Sequence, residues 1–314
     1  MHELVDKDIP IHKRSVGTDD AISLFARYRM YDKERLFKFR RVSKTNIYNL
    51  DGFEDYYYGY MPPSTGILKY FDLMLYDGGF ILLLPSEKSP TVIEPFVPLK
   101  KLFYTLKESN EWARMMGIEN VGALNMVISQ GRINELILVH EALQEKKIAK
   151  IAEAVKESGK QFVMIAGPSS SGKTTFSQRL AIQLKAHGLN PHVIAVDNYF
   201  VSREKTPRDE NGNYDFESFH NLNLPLLEDC VKKLIKGEEV QLPKYDFLDG
   251  KSKPGKIIKL VKDQMIILEG IHGLNPELLK EINPNLMYKI FVSPLTQLNV
   301  DRYNRVSTVD TRLI

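Results

Sequence analysis

A single cysteine, Cys230, stands in the whole sequence, which excludes an internal disulfide framework and fits a reducing compartment. It falls in Leu226-Leu227-Glu228-Asp229-Cys230-Val231, a helical pattern, and reads as a buried structural thiol rather than a reactive one. Long apolar runs are missing too. The most apolar stretches, residues 80–84 and 265–268, are strand-length, whereas a membrane-spanning helix needs about 18 residues. The start, Met1-His2-Glu3-Leu4-Val5-Asp6, shows no basic segment leading into an apolar one, so no secretory signal is expected and the default location is cytoplasmic. Charge of either sign is not in excess: 43 Lys and Arg against 40 Asp and Glu leave a formal +3. That balance gives no strong pull toward nucleic acid or membrane. Repeats and low-complexity segments are absent as well.

What is present points to two domains, because 314 residues is about twice the usual domain size. Residues 1–130 carry many aromatics and short strand-like runs. Ile47-Tyr48-Asn49-Leu50 and Ile67-Leu68-Lys69-Tyr70-Phe71 are the clearest, separated by the turn signals Asp51-Gly52, Pro62-Pro63 and Asp77-Gly78-Gly79. The expectation is a smaller α+β domain built on an antiparallel sheet. Across 131–158, Ile133, Leu136, Ile137, His140, Leu143, Ile151 and Val155 fall near one helical face among charged neighbours. This predicts an amphipathic bridging helix that ends at Ser158-Gly159.

From 159 to 314 the pattern becomes strand, glycine loop, helix, strand. Strands are predicted at 161–166, 191–196, 265–268 and 288–292, with a helix over 176–187 closed by Gly188. Strands alternating with helices predict an α/β domain whose parallel sheet is covered on both faces.

Between the first strand and its helix lies Gly167-Pro168-Ser169-Ser170-Ser171-Gly172-Lys173-Thr174, which fits G-x-x-x-x-G-K-[ST]. Glycines let the backbone curl until several N–H groups face the phosphates of ATP at the positive end of the helix dipole. Gly167, Ser169, Ser170, Ser171, Gly172, Lys173, Thr174 and the adjoining Thr175 are the candidate cofactor-binding residues. Lys173 would reach the outer phosphates and the Thr174 hydroxyl would hold Mg²⁺. Such a site also needs groups to orient an acceptor hydroxyl and steady the metal, and these collect at the C-terminal ends of parallel strands. Asp197 ends the second strand and Glu269 the third. Each follows apolar strand residues, so each is either at the mouth of a site or a capping or costly buried group.

Together these residues resemble the phosphoribulokinase/uridine kinase family of P-loop kinases. The likeness runs from about residue 160 to the end, through Asp197-Asn198-Tyr199-Phe200, Leu242-Pro243-Lys244-Tyr245-Asp246-Phe247, Glu269-Gly270-Ile271-His272 and Asp310-Thr311-Arg312-Leu313. The resemblance implies ATP- and Mg²⁺-dependent phosphorylation of a nucleoside 5′-hydroxyl, uridine or cytidine first. It makes Asp197 the base, with Lys173 as its catalytic companion, and puts Thr174 and Glu269 at the metal. Asp215, Tyr245, Phe247, His272 and Arg312 become candidate substrate contacts, although Tyr245 and Phe247 also fit a core-filling role. Three departures bear on the acceptor. Uridine kinases usually carry a base-reading histidine three residues after the phenylalanine of Tyr245-Asp246-Phe247, and Gly250 stands there. His272 suits the phosphoribulokinase branch, where it would touch substrate or satisfy a backbone group. Residues 296–308 form a longer stretch than the matching one in uridine kinases. A sugar phosphate or another small alcohol therefore stays open as the acceptor.

Residues 1–85 resemble part of the second additional, editing domain of threonyl-tRNA synthetase, centred on 53–66 with Gly59, Pro63, Thr65 and Gly66 in the pattern. Where the synthetase carries a cysteine and, four residues on, a histidine, this chain has Tyr57 and Met61, so editing chemistry is not expected. The earlier H-x-x-x-H half and the later arginine-rich lid of the two families have no counterpart here. The chain is accordingly expected to be a fragment of a longer protein, its own turnover uncertain. A nucleotide-gated, RNA-associated module without turnover is the third reading, supported only by Arg40-Arg41 and Lys100-Lys101. A homo-oligomer is left open.

Overall fold

The computed structural model describes residues 1–261, 264–293 and 298–306. They form two units. The first is Met1–Ile133 with the described part of Thr296–Ser307, and the second begins at Asn134. The candidate Arg312 and its neighbours lie outside the described residues.

The first unit runs α1 (His2–Asp6), β1 (Ile11–Gly17), α2 (Thr18–Arg27), α3 (Tyr31–Lys38), β2 (Lys44–Leu50), β3 (Phe53–Tyr56), β4 (Asp72–Tyr76), β5 (Gly79–Leu83), α4 (Lys100–Met115) and α5 (Val121–Ser129). β1, β2 and β3 make an antiparallel sheet, and β4 with β5 a separate hairpin. Both hairpin turns are the Asp-Gly pairs flagged by the sequence. Asp51 and Gly52 have φ of 50° and 85°, Asp77 and Gly78 of 47° and 78°. Two consecutive left-handed residues match the strand twist, which is why these dipeptides close hairpins.

The strand expected at 67–71 is not there. Thr65–Ile67 is a short 3₁₀ turn, and the strand begins only at Asp72. Local polar groups are spent on the N-terminal segment instead: Ile9 N donates to Thr65 Oγ1 at 2.9 Å, and Gly66 N to Asp8 Oδ1 at 2.9 Å.

The core of this unit packs Phe25, Phe37 and Tyr56 edge to face, with Ala21, Leu24 and Ile47 around them. A later piece of chain completes it. Asp301, 0% exposed, accepts from the Tyr56 hydroxyl, from Tyr303 N at 2.9 Å, from Asn304 N at 3.0 Å and from Asn304 Nδ2 at 2.7 Å. The buried Lys33 pairs with Asp55 and lies over the rings of Tyr56 and Tyr303. Four donors depend on one carboxylate, so Asp301→Ala should cost about 3 kcal/mol, the scale of buried groups left unsatisfied. A fall in the urea midpoint at unchanged m-value would show it.

In the second unit α6 (Ile133–Glu157) leads to β6 (Phe162–Ala166), α7 (Lys173–Ala186), β7 (Asn190–Ala195), α8 (Leu224–Ile235), β8 (Glu239–Asp246), β9 (Lys251–Lys259), β10 (Gln264–Glu269) and β11 (Met287–Phe291). Four strands pair in parallel in the order β11-β6-β10-β7. Their residues alternate between two cores. Phe162, Met164, Ile266 and Leu268 face Leu227, Cys230, Val231 and Leu234 of α8. Val163, Ile165, Met265 and Ile267 face Ile148, Ala152 and Val155 of α6 and Leu180, Ala181 and Leu184 of α7. Both faces are covered, as strands apolar at every position require. Cys230 is buried on α8, whose first turn is capped by Asn223 Oδ1 accepting from Leu226 N.

α6 spans nearly the range its periodicity indicated, but its buried stripe is shifted. Leu136, Ile148, Ala152 and Val155 bury, whereas Ile137 and His140 are exposed. The β8–β9 hairpin is an element that alternation did not reveal. A bulge at Gln241/Pro243 interrupts its ladder where proline lacks an N–H, which obscures the two-residue period.

Candidate active site

The sheet register brings the strand ends together. Glu269, last in β10, pairs with Ile165 of β6 on one side and with Ala195 of β7 on the other. Two residues beyond Ala195 comes Asp197, in the 3₁₀ turn Val196–Tyr199. The phosphate loop leaves the end of β6, which pairs with β10 on the side away from β7.

Loop geometry depends on close backbone approach. A Cβ at Gly167 would sit 2.1 Å from Val292 O and 2.8 Å from Ser171 Oγ, so only glycine fits beside β11. Ser170 and Gly172 both have positive φ, 57° and 80°, which curls the chain into the first turn of α7. Gly172 stands at the N-cap and supplies no capping side chain. The first-turn N–H groups of α7 therefore face outward with the positive end of the helix dipole, as an anion site requires. Ser171 Oγ is buried without a hydrogen-bond partner among the described residues, a polar group pointing to an oxygen-rich ligand in the loop. Lys173 Nζ donates to Pro168 O at 2.9 Å, across the mouth of the loop.

The metal candidates meet. Thr174 Oγ1 donates to Glu269 Oε1 at 3.1 Å, and Glu269 is 5% exposed. Among the described residues no cluster of three or more His, Cys, Asp or Glu could hold a metal alone. One hydroxyl and one carboxylate suit Mg²⁺, which binds through one or two carboxylates and takes its remaining ligands from phosphates and water. The residues present thus fit ATP with magnesium.

Burial pushes the Asp197 carboxyl above its ordinary value, and the charges of Lys173 and His272 oppose that rise. Glu269 is also raised by burial, lowered by its Thr174 hydrogen bond, raised by the charge of Asp197 and lowered by Lys173. Asp197, Glu269, Thr174 and Lys173 therefore form one electrostatic group. Shifted carboxyls grouped beside a lysine are the electrostatic pattern expected of a candidate functional site.

His272 Nε2 lies 2.8 Å from Glu217 O, and its ring meets Phe219 edge to face. It thus satisfies a backbone carbonyl while its charge acts on Asp197. Asp215 Oδ1 accepts from Glu217 N at 3.1 Å in the same loop. Tyr245 is buried, 6% exposed, and stacks edge to face with Phe200 and Phe247, whereas Phe247 is 59% exposed. Of this pair, only Phe247 presents a ring to a ligand.

The sequence reading passed over several residues that shape the site. Asn198 Oδ1 accepts from Tyr245 N at 3.2 Å and joins the Asp197 turn to the β8–β9 hairpin. Gly270 leaves room for Val196, whose Cβ would lie 2.9 Å from a Cβ there, and Gly273 lies where a Cβ would be 2.2 Å from Ile165 O. Both glycines stand in the Glu269-Gly270-Ile271-His272-Gly273 motif, so their spacing was the available signal.

Residues 162–305 match the profile of the Phosphoribulokinase / Uridine kinase family. The uridine kinase of Schizosaccharomyces pombe is 35% identical over 126 residues, covering 39% of this chain and 27% of that protein. The uridine kinase of Deinococcus deserti is 27% identical over 128 residues, covering 41% of this chain and 59% of that protein. That of Ligilactobacillus salivarius is 27% identical over 149 residues, covering 48% and 67%. The chain thus spans between about a quarter and two thirds of the length of these relatives. A solved structure titled as a possible uridine kinase from Bacillus stearothermophilus aligns with a TM-score of 0.41 at 23% identity, covering 48% of this chain and 80% of that one. Among the described residues no helix is long and apolar enough to cross a membrane. Residues 162–305, within the parallel α/β unit that carries the glycine-rich phosphate loop, are similar to the phosphoribulokinase / uridine kinase family.

Proposed function

We propose that this domain transfers a phosphoryl group from ATP, with magnesium, to the 5′-hydroxyl of a nucleoside, uridine or cytidine first. The observation that carries the reading is a pair of carboxylates beside the phosphate loop, the buried Glu269 at the end of β10 and the partly buried Asp197 just past the neighbouring β7, with Glu269 bonded to Thr174. Bound ATP and Mg²⁺ supply the phosphoryl group and neutralise its charge. Asp197 takes the proton of the acceptor hydroxyl, Glu269 and Thr174 hold the metal, and Lys173 neutralises phosphate oxygens. His272 steadies the loop that carries Asp215, toward the acceptor. Relatives that match the same segment are named uridine kinases, which supports the acceptor class.

A sugar phosphate or other small alcohol is the second acceptor reading, favoured by Gly250, which presents no side chain where uridine kinases read the base. We read the first unit as a synthetase-like module without editing chemistry, since Tyr57 and Met61 occupy the positions of the editing residues. An RNA role gains little from the basic pairs. Arg40 is engaged with Thr45 Oγ1 at 3.2 Å and lies over the Phe37 ring, while Lys100-Lys101 opens α4.

ADP release from Mg-ATP, with a panel of nucleosides and sugar phosphates, tests the proposal. Uridine- or cytidine-dependent ADP is expected. ATP binding with no acceptor-dependent ADP anywhere in the panel would turn the reading toward a nucleotide-gated switch.

A further inference from the structure

α6 and α7 lie side by side and run in the same direction. Arg179 Nε of α7 donates to Glu145 Oε1 of α6 at 2.7 Å, and Gln183 Nε2 donates to Glu145 Oε2 at 3.0 Å. Near the other end Lys156 Nζ donates to His187 O at 3.0 Å. These contacts join residues 34, 38 and 31 positions apart, the near-constant offset of parallel helices. Between them Ile148, Ala152 and Val155 pack with Leu180, Ala181 and Leu184. Counted back by the 34 residues of the Arg179 contact, Lys173 at the start of α7 falls level with Val139 of α6. Residues 134–138 therefore extend past the start of α7, roughly 7 Å of helix at the rise of an α-helix.

This end of α6 walls a cleft of about 570 Å³, within the range of small-molecule sites. Leu138, Glu141, Ala142 and Glu145 line it from α6, and Thr175 and Arg179 from α7. Thr175 adjoins Thr174 in the first turn of α7, so the cleft opens from the place where the helix N–H groups face an anion. Its surfaces differ in kind. Leu138, 66% exposed, and Ala142 are apolar. The Arg179 guanidinium, held by Glu145, is a fixed planar cation of the kind that packs on aromatic rings. Glu141 has no hydrogen-bond or ion-pair partner among the described residues, and an ionised carboxylate only accepts. Apolar surface, a flat cation and an unused acceptor beside an anion site suit an aromatic ring that is joined to phosphate through a hydroxylated group. α6 ends at Glu157, ahead of residues 162–305, so the family likeness does not reach this wall.

We propose that α6 supplies the subsite for the nucleoside end of the phosphate donor. Leu138, Ala142 and the Arg179 guanidinium take the base, and Glu141 accepts from an O–H or N–H of the nucleoside. The proposal rests on ATP binding by the phosphate loop and adds the element that tells a nucleotide from a bare polyphosphate.

The test is calorimetric binding of ADP and of pyrophosphate, each with magnesium, to the full chain in wild type, Glu141→Ala and Leu138→Ala. Both positions are exposed and alanine is the best helix former, so α6 persists in the variants. Wild type should bind ADP more tightly than pyrophosphate. Glu141→Ala should weaken ADP about tenfold, the scale of one hydrogen bond to a charged group, and Leu138→Ala about fivefold through lost apolar contact. Pyrophosphate should bind both variants as it binds wild type. A Glu141→Ala loss that disappears on 2′-deoxy-ADP assigns the ribose 2′-hydroxyl to Glu141, one that disappears on inosine diphosphate assigns the adenine amino group, and one kept on both assigns the 3′-hydroxyl. ADP bound by both variants as by wild type, or pyrophosphate weakened as much as ADP, overturns the inference. Pyrophosphate bound by wild type as tightly as ADP overturns it while leaving the phosphate loop intact. Binding of neither by wild type overturns the phosphate-loop reading along with it.

Discussion

Asp197→Asn should retain ATP binding and lose acceptor phosphorylation by about 10²–10⁴-fold, the range for removing a general base. Asparagine keeps the shape of the turn after β7 but cannot accept the hydroxyl proton. The same substitution should stabilise the fold. Burial raises the Asp197 carboxyl above its ordinary 3.8, so the folded chain binds that proton to higher pH than the unfolded chain does. Ionising Asp197 therefore opposes folding, a cost that develops as pH rises from the unfolded value to the folded one and stays constant above it. The variant should melt at a higher temperature than wild type at neutral pH, and the difference should vanish below pH 3.8. In wild type the acid limb of kcat/KM should lie above the range of an ordinary aspartate, because the base works only when ionised. Full turnover in Asp197→Asn would remove Asp197 from the base role, and a lower melting temperature at neutral pH would contradict the burial-raised carboxyl.

Lys173→Ala should be the second large effect. The lysine amine crosses the mouth of the loop to Pro168 O and is the cation nearest in influence to both carboxyls. Its loss should lower kcat by about 10²–10³-fold, the scale for one preorganised electrostatic group, and weaken ATP binding measured by equilibrium titration. A further consequence separates this from a general weakening of the loop. Lys173 pulls the carboxyls of Asp197 and Glu269 down, so the residual activity of the variant should show its acid limb at higher pH than wild type. Unchanged ATP affinity and an unmoved acid limb would show that the loop does not hold the outer phosphates.

The phosphate loop was legible because its function fixes its residues in a row. Gly167, Gly172, Lys173 and Thr174 must follow a strand and open a helix, and the strand at 162–166 and the helix at 173–186 are both where periodicity puts them. Asp197 and Glu269 could be named because each ends an apolar strand. The apolar cluster at 67–71 reads as a strand, but Thr65 and Gly66 bind the segment around Asp8 and Ile9 and the chain there makes a 3₁₀ turn instead.

By itself the sequence determined the local chemistry: the phosphate-binding curl, the strand-ending carboxylates, the two Asp-Gly hairpins and a buried Cys230. These depend on neighbours a few residues apart, where backbone sterics and side-chain spacing decide. Only the tertiary structure decided that Thr174 meets Glu269, 95 residues away, that residues 298–306 pack with the first unit through Asp301, and that Arg203 lies on Gly250. Strand order, unlike strand existence, is set by which apolar faces bury together. Gly250 reads in the sequence as a missing side chain, but in the fold it is the space that an arginine from 47 residues earlier requires.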